Sequence, residues 1–285
     1  MASLREHVDL ALRVSRTRFW FYIAGPFTVG CIWGAPRFLD LANIEFFVYM
    51  FYYLIPANVF LYGVNDYYDY ETDLLNPKKQ DKEYLVPEGE RRMLRNIIVA
   101  VGVLSLVLLP FQKDNTERLI FSGFLFLSCF YSAKPLRFKA VPFLDSASNI
   151  LYALPGVFAY YQVAGSLPPK LIIVGAFLHT SAMHLFSAVP DIEFDRQVDL
   201  KTTAVILGEK ASLVLCLLLW TGLAAISLVV GGFSAPSYLP LIYPVMVLYL
   251  LFVKQSAESV YWFYPYINTG LGGLLFLLGA LQTPF

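Results

Sequence analysis

The sequence predicts an all-α, polytopic membrane protein with about nine spanning helices in one bundle, on three observations. Of the 285 residues, 58% are hydrophobic and only 15% charged, and the mean hydropathy is +0.59. Apolar runs of near-spanning length recur along the whole chain. Basic residues collect in alternate connections, as the positive-inside rule requires. No polar stretch exceeds about thirty residues, too few for a core of its own, so a separate water-soluble domain is excluded and residues 1–285 read as one transmembrane domain. Formal charge is zero; bulk charge names no partner, and nucleic acid is not expected.

Taken in order, residues 1–20 carry Arg5, Arg13, Arg16 and Arg18 and read as a cytoplasmic amphipathic lead-in. Apolar runs follow at 19–35, 44–64, 97–111, 119–133, 142–164, 171–190, 211–232, 239–253 and 259–281. The third, fourth and eighth hold only about fifteen residues against the ~20 that a spanning helix needs. They must borrow from flanks such as Asn96, Gln112 and Lys254, or lie in locally thinner bilayer. With a cytoplasmic N-terminus, 17 of the 21 basic residues fall inside, Lys78, Lys79, Lys82 and Lys254 among them, and only Arg37, Lys113, Arg118 and Lys170 outside. That asymmetry predicts a multi-pass cell-membrane protein whose C-terminus lies on the opposite side. Cys31, Cys129 and Cys216 sit singly in apolar runs without disulfide or metal spacing, and read as packing residues.

Two acidic ladders interrupt this pattern, Asn65-Asp66-x-x-Asp69-x-x-x-Asp73 and Asp191-x-x-x-Asp195-x-x-x-Asp199. Residues four apart share a helical face, so Asn65, Asp69 and Asp73 are expected to project together, as are Asp191, Asp195 and Asp199. Asp66 joins the first set from its edge, whereas Glu71 points elsewhere. Neighbouring carboxylates repel by about 3 kcal/mol at roughly 6 Å and an effective dielectric of about 20. A divalent cation removes that cost. Mg²⁺ takes oxygen ligands and is usually held by a few carboxylates together with substrate phosphates, so the ladders predict a metal–diphosphate site. A solvated acidic helix cap is the plainer alternative, but it needs no acids over two further turns. Pro190 marks a kink or a helix start before the second ladder.

Phosphate also needs cations. Lys134-Pro135-Leu136-Arg137-Phe138-Lys139 is a short basic loop on the same face as the ladders, in which Arg137 can form paired hydrogen bonds to a diphosphate and Lys139 acts as a point charge. The alternative is a loop that sets topology and meets only lipid headgroups. Lys201 and Thr202 are weaker candidates of the same kind. Asp145, Ser148 and Asn149 are polar breaks in span five; Asp145 either meets substrate or pairs with Arg137 or Lys139. His179 and His184, five apart, do not share a face and read as packing or gating residues rather than ligands. Among 24 Phe and 19 Tyr, those just before the first ladder, such as Phe60 and Tyr62, offer π faces to a carbocation.

The two ladders and the segment Tyr131-Ser132-Ala133-Lys134-Pro135-Leu136-Arg137-Phe138-Lys139 together resemble the UbiA superfamily of intramembrane prenyltransferases. The resemblance implies Mg²⁺ bridging a diphosphate to both aspartate motifs, with a lateral opening for a greasy acceptor. The opening Ser15-Arg16-Thr17-Arg18-Phe19-Trp20 and the string Pro142-Phe143-Leu144-Asp145-Ser146-Ala147-Ser148-Asn149 are similar to the carotenoid-modifying branch, the lycopene elongases. The Arg-x-Asp-Lys-Pro-x-Gly pattern of members that prenylate hydroxybenzoate is missing from the first span.

The expectation is Mg²⁺-dependent transfer of a prenyl group, from dimethylallyl diphosphate, to lycopene or a related carotenoid in the bilayer. Asn65, Asp66, Asp69, Asp73, Asp191, Asp195 and Asp199 are the expected metal ligands. Asp69, Asp195, Arg137 and Lys139 are expected to be catalytic, and Asn65, Arg137, Lys139, Asp145, Asn149 and Lys201 to bind substrate. Other enzymes of carotenoid synthesis are expected as partners. The rival readings are a prenyltransferase of quinone, chlorophyll or archaeal-lipid synthesis, and a cation-coupled transporter, whose acids belong nearer the bilayer midplane.

Overall fold

The computed structural model describes residues 3–75, 84–253 and 255–284. Four lysines of the charge argument, Lys78, Lys79, Lys82 and Lys254, lie outside the described residues. Helices and their connections make up all of these residues, with no strand among them.

The amphipathic lead-in is α1 (Leu4–Val14), opened by a capping box in which Ser3 Oγ accepts from Glu6 N and Glu6 returns the bond to Ser3 N. Then follow α2 (Trp20–Gly34), α3 (Ile44–Leu54), α4 (Pro56–Tyr68) and the single turn α5 (Tyr70–Asp73). Pro56 has no N–H to give, so the α3–α4 junction leaves carbonyls without helical donors. Asn58 supplies them, its Nδ2 donating to Tyr53 O at 3.0 Å and Leu54 O at 2.9 Å. The chain continues through α6 (Arg91–Leu108) and α7 (Asn115–Phe130), the latter capped by Asp114, whose Oδ1 accepts from Thr116 N and Glu117 N.

Beyond them lie α8 (Leu144–Ala147), α9 (Leu154–Ala164), α10 (Lys170–Ala188), α11 (Ile192–Gln197), α12 (Thr203–Val230), α13 (Ile242–Val253), α14 (Glu258–Tyr261) and α15 (Tyr264–Gln282). Glycine is needed inside α12, where Gly208 takes φ +74° and bends the helix.

Six helical stretches among the described residues are long and apolar enough to cross a membrane. They correspond to the second, third and sixth to ninth of the nine expected spans. The third grows upstream through a 3₁₀ turn to run 88–111, and the eighth through another to run 235–253, so these two are not short. The first, fourth and fifth fall below the criterion. The fifth, expected as one helix over 142–164, is broken into α8, a 3₁₀ segment Ser148–Tyr152 and α9. Here Asn149 Nδ2 and Ser148 Oγ both donate to Asp145 O, at 2.6 and 3.3 Å, competing with the helical pattern. Pro155 cannot donate to restore it.

The described residues form two compact units, one drawn from 1–137, 154–166 and 275–285, the other from 138–153 and 167–274. Association of helices in lipid relies on close packing and small residues, since lipid tails are as apolar as leucine. In the first unit α2 lies against α9 so tightly that a Cβ on Gly30 would stand 2.1 Å from Gly156 O. Around this contact Phe27, Tyr49, Tyr52, Tyr53, Phe121 and Phe158 form a buried aromatic core, with Tyr49 and Phe158 rings 4.8 Å apart. The end of α15 is tied to α2 through Trp33 Nε1, which donates to Leu275 O, and Thr283 Oγ1, which donates to Ile32 O. In the second unit α10 packs on α12. Trp220, Phe186, Tyr243 and Tyr264 form its aromatic core, and Trp220 Nε1 donates to His179 Nδ1 at 3.3 Å, which makes His179 a packing residue as expected.

Candidate active site

Each unit carries one of the acidic motifs. In the first, α4 delivers Asn65 and Asp66 at its C-terminal end and stops at Asp69, whose backbone (φ −100°, ψ 6°) leaves the helix before α5 begins. The i→i+4 pattern survives the break, because Asp69 N donates to Asn65 O and Asp73 N to Asp69 O, at 2.9 and 2.8 Å. The four-residue spacing therefore still stacks Asn65, Asp69 and Asp73.

Asp69 is only 1% exposed, and a carboxylate so far from water needs compensation. Asn65 Nδ2 donates to Asp69 Oδ2 at 2.8 Å and also to Ser132 Oγ at 2.8 Å. Arg137 Nη2 donates to Asp69 Oδ1 at 3.2 Å. Arg137 reaches it from the turn after α7, where the Lys134–Pro135 peptide is cis and Arg137 itself takes φ +40°. That left-handed conformation is costly for a residue with a Cβ, and such strain gathers at functional sites. Arg16 is in the same condition at φ +51°, after α1. Its Nη2 donates to Asp66 Oδ1 at 2.8 Å while its guanidinium lies over the Tyr62 ring at 4.7 Å.

The second motif differs from its expected form. Val189–Asp191 is a 3₁₀ turn around Pro190, a new helix start as the proline suggests, and α11 carries Asp195, which is 8% exposed. The helix ends at Gln197. Asp199 follows in a left-handed turn at φ +52°, exposed, and so does not extend the helical face of Asp191 and Asp195. The physical reason is the next helix: Thr202 caps α12, and the chain must turn between Gln197 and that cap. Thr202 Oγ1 lies 3.4 Å from Asp195 Oδ2 as donor, and Leu200 N donates to Asp195 O at 2.8 Å. Lys201 is exposed and Lys139 half-buried, on a 3₁₀ turn.

Asp145, fully buried, spends both carboxylate oxygens on Thr203: Oδ2 accepts from Thr203 N at 2.8 Å and Oδ1 from Thr203 Oγ1. His184 Nε2 stands 4.0 Å from Oδ2. Asn149, buried beside it, donates its Nδ2 to the Asp145 carbonyl. Asp145 and Asn149 thus each have partners within the second unit.

The donors fit a hard divalent cation in kind, since Asn65, Asp66, Asp69 and Asp73 offer only oxygen, as do Asp191, Asp195 and Asp199. Among the described residues no three His, Cys, Asp or Glu side chains are gathered closely enough to hold a metal by themselves. Sequence reasoning missed Arg16, taken as a topology-setting charge, and the hydroxyls of Ser132 and Thr203; no spacing links them to their partners. A cavity of about 260 Å³ opens at the other end of the α3–α4 pair, lined by Glu45, Lys113 and Gln162 among others, and takes in none of the expected site residues.

Residues 23–278 match the UbiA prenyltransferase family. The chain is 43% identical over 272 residues to a lycopene elongase/hydratase of Haloferax volcanii, covering 94% of this chain and 87% of that protein. To the lycopene elongase/hydratase of Halobacterium salinarum it is 41% identical over 270 residues, covering 94% and 95%. A UbiA homolog from Archaeoglobus fulgidus bound to DMAPP and Mg²⁺ has the same fold, with a TM-score of 0.71, 22% identity and coverage of 95% and 99%.

Proposed function

We propose that this chain, which belongs to the UbiA prenyltransferase family, transfers the prenyl group of dimethylallyl diphosphate to an end of lycopene or a related carotenoid. As a family member it is a multi-pass membrane prenyltransferase; the donor and acceptor are our assignment. The acceptor is supported by identity above 40% to two lycopene elongase/hydratases over nearly the whole chain. The observation that carries the site is Asp69, an almost fully buried carboxylate held between Asn65 and Arg137 at the end of an apolar helix.

Asn65, Asp66, Asp69, Asp73, Asp191, Asp195 and Asp199 are the residues we assign to hold magnesium. Bound magnesium neutralises charge on the leaving diphosphate. Arg137, through its fixed fork of donors, takes phosphate oxygens, with Lys139 and Lys201 as point charges. Arg16 and Arg137 keep the buried carboxylates oriented before substrate arrives, so little reorganisation is needed as the allylic C–O bond breaks. The bonding pair leaves with pyrophosphate, and the allylic cation is captured by the terminal double bond of the acceptor. That shifts the positive charge onto the acceptor, where loss of a proton or addition of water ends the reaction; the hydratase part of the relatives' name supports water. Apolar walls keep bulk water from the allylic cation until transfer is complete.

We place the N-terminus in the cytoplasm and the C-terminus opposite, on the strength of the distribution of basic residues. Family membership sets aside the cation-coupled transporter. The test is expression of the chain in lycopene-producing cells, with pigments read by mass. Products heavier by one or two five-carbon units support the assignment; unchanged lycopene beside full prenylation of an aromatic or glyceryl acceptor by the same membranes overturns it.

A further inference from the structure

Asp145 is the most completely buried carboxylate of the second unit, yet the reaction above gives it no contact with substrate. Its partners show what it does instead. Thr203 N is the first N–H of α12, one of those a helix leaves without an internal acceptor, and a carboxylate there meets the positive end of the helix dipole. The Thr203 hydroxyl donates to the other oxygen of Asp145 and accepts from Phe143 N at 2.6 Å. The start of α12 is thereby fixed to the α8 segment by three hydrogen bonds.

Seven residues separate Asp195 from Thr203, and little of that connection is slack. Val198 N donates to Phe194 O, Asp199 N to Arg196 O, Leu200 N to Asp195 O and Thr202 N to Leu200 O. Thr202 Oγ1 accepts from Val205 N at 3.3 Å and reaches back to Asp195 Oδ2. Within this span stand Asp195, Asp199 and Lys201. Where the first turn of α12 sits therefore decides where these three side chains can be.

We propose that Asp145 is a positioning residue: by holding Thr203 at the head of α12 it sets the Asp195–Thr202 turn in the geometry that binds the metal–diphosphate. This rests on the reading of Asp195 given above. Groups hydrogen-bonded to a metal ligand are typically worth about 10–100-fold in affinity, and Asp145 acts one residue beyond such a group, through Thr203 beside Thr202, which sets its effect at the lower end.

The test is Mn²⁺ binding to the purified full chain in detergent, followed by electron paramagnetic resonance with inorganic pyrophosphate present, alongside the melting temperature. Asp145→Asn keeps the shape but sets an amide N–H₂ against a Thr203 donor. It is expected to weaken Mn²⁺ binding by about tenfold while the protein still melts cooperatively. Thr203→Val, which keeps the backbone bond, is expected to weaken binding less, and Thr203→Ser to restore it; this pair carries the test if Asp145→Asn does not fold. Wild-type affinity in Asp145→Asn, or equal affinity in Thr203→Val and Thr203→Ser, overturns the proposal. Equal affinity in wild type and Asp195→Ala instead overturns the reading of Asp195 on which it rests.

Discussion

Arg16 and Asp66, fifty positions apart in the chain, meet at 2.8 Å between Nη2 and Oδ1, with the guanidinium stacked over Tyr62. The carboxylate is 4% exposed, so removing the guanidinium takes a close cation from a charge held away from water. Arg16→Ala is expected to destabilise the protein by about 3 kcal/mol, within the range for a broken buried pair, read as a fall in denaturant midpoint or melting temperature. Arg16→Lys keeps the charge but loses the planar stacking and is expected to fall between. If both variants melt with the wild type, the pair carries no weight.

Asp69→Ala and Asp195→Ala are each expected to lower pyrophosphate release from dimethylallyl diphosphate by about a hundredfold or more, the scale of losing one electrostatic contact to a developing charge. Release assayed in membranes, with expression matched by immunoblot, decides it. Full release in either variant removes that aspartate from the reaction.

Chelation with EDTA is expected to abolish release, and Mg²⁺ to restore it, because carboxylates and cationic side chains alone leave the diphosphate charge incompletely neutralised. Retention of full activity after exhaustive chelation contradicts the assigned ligands.

Asn65 divides its amide between Asp69 and Ser132. Ser132→Ala removes one anchor of that amide, and a hydrogen bond of this kind is worth about 1 kcal/mol, so release is expected to fall roughly fivefold to tenfold. Asn65→Ala, which removes the bond to Asp69 itself, is expected to lose more. An order reversed between the two variants contradicts the arrangement.

The cap of α7 gives a pH dependence away from the acids. Hydrogen bonds from Glu117 N first, and from the Tyr161 hydroxyl, hold the Asp114 carboxyl below its ordinary 3.8. A depressed carboxyl contributes stability above its unfolded value and loses it as pH falls through the folded one. The melting temperatures of wild type and Asp114→Ala are thus expected to differ at neutral pH and to converge below pH 3.8. A constant difference across that range denies the ionised cap.

Much of the first ladder was legible because backbone bonds carry the four-residue step through the break at Asp69. The helix of the second runs only to Gln197: a repeat in sequence cannot show that Thr202 caps a new helix and that Asp199 falls in a left-handed turn between them. Hydropathy likewise found apolar runs but not their breaks. In the fifth run Asn149 and Ser148 take the Asp145 carbonyl, a local competition that averaging over a window conceals. Arg16 was read by its position beside the first span, which serves a topology argument and is silent about a partner fifty residues on.

Gly30 and Gly156 stand where two backbones touch, and a methyl group on either would strike a carbonyl, Gly156 O in one case and Pro26 O in the other. At these sites the alphabet of tolerated residues shrinks to one letter. In a saturation library they should appear as silent gaps, as intolerant as the aspartates but for a wholly different reason, and scored by abundance rather than turnover they should stay dark.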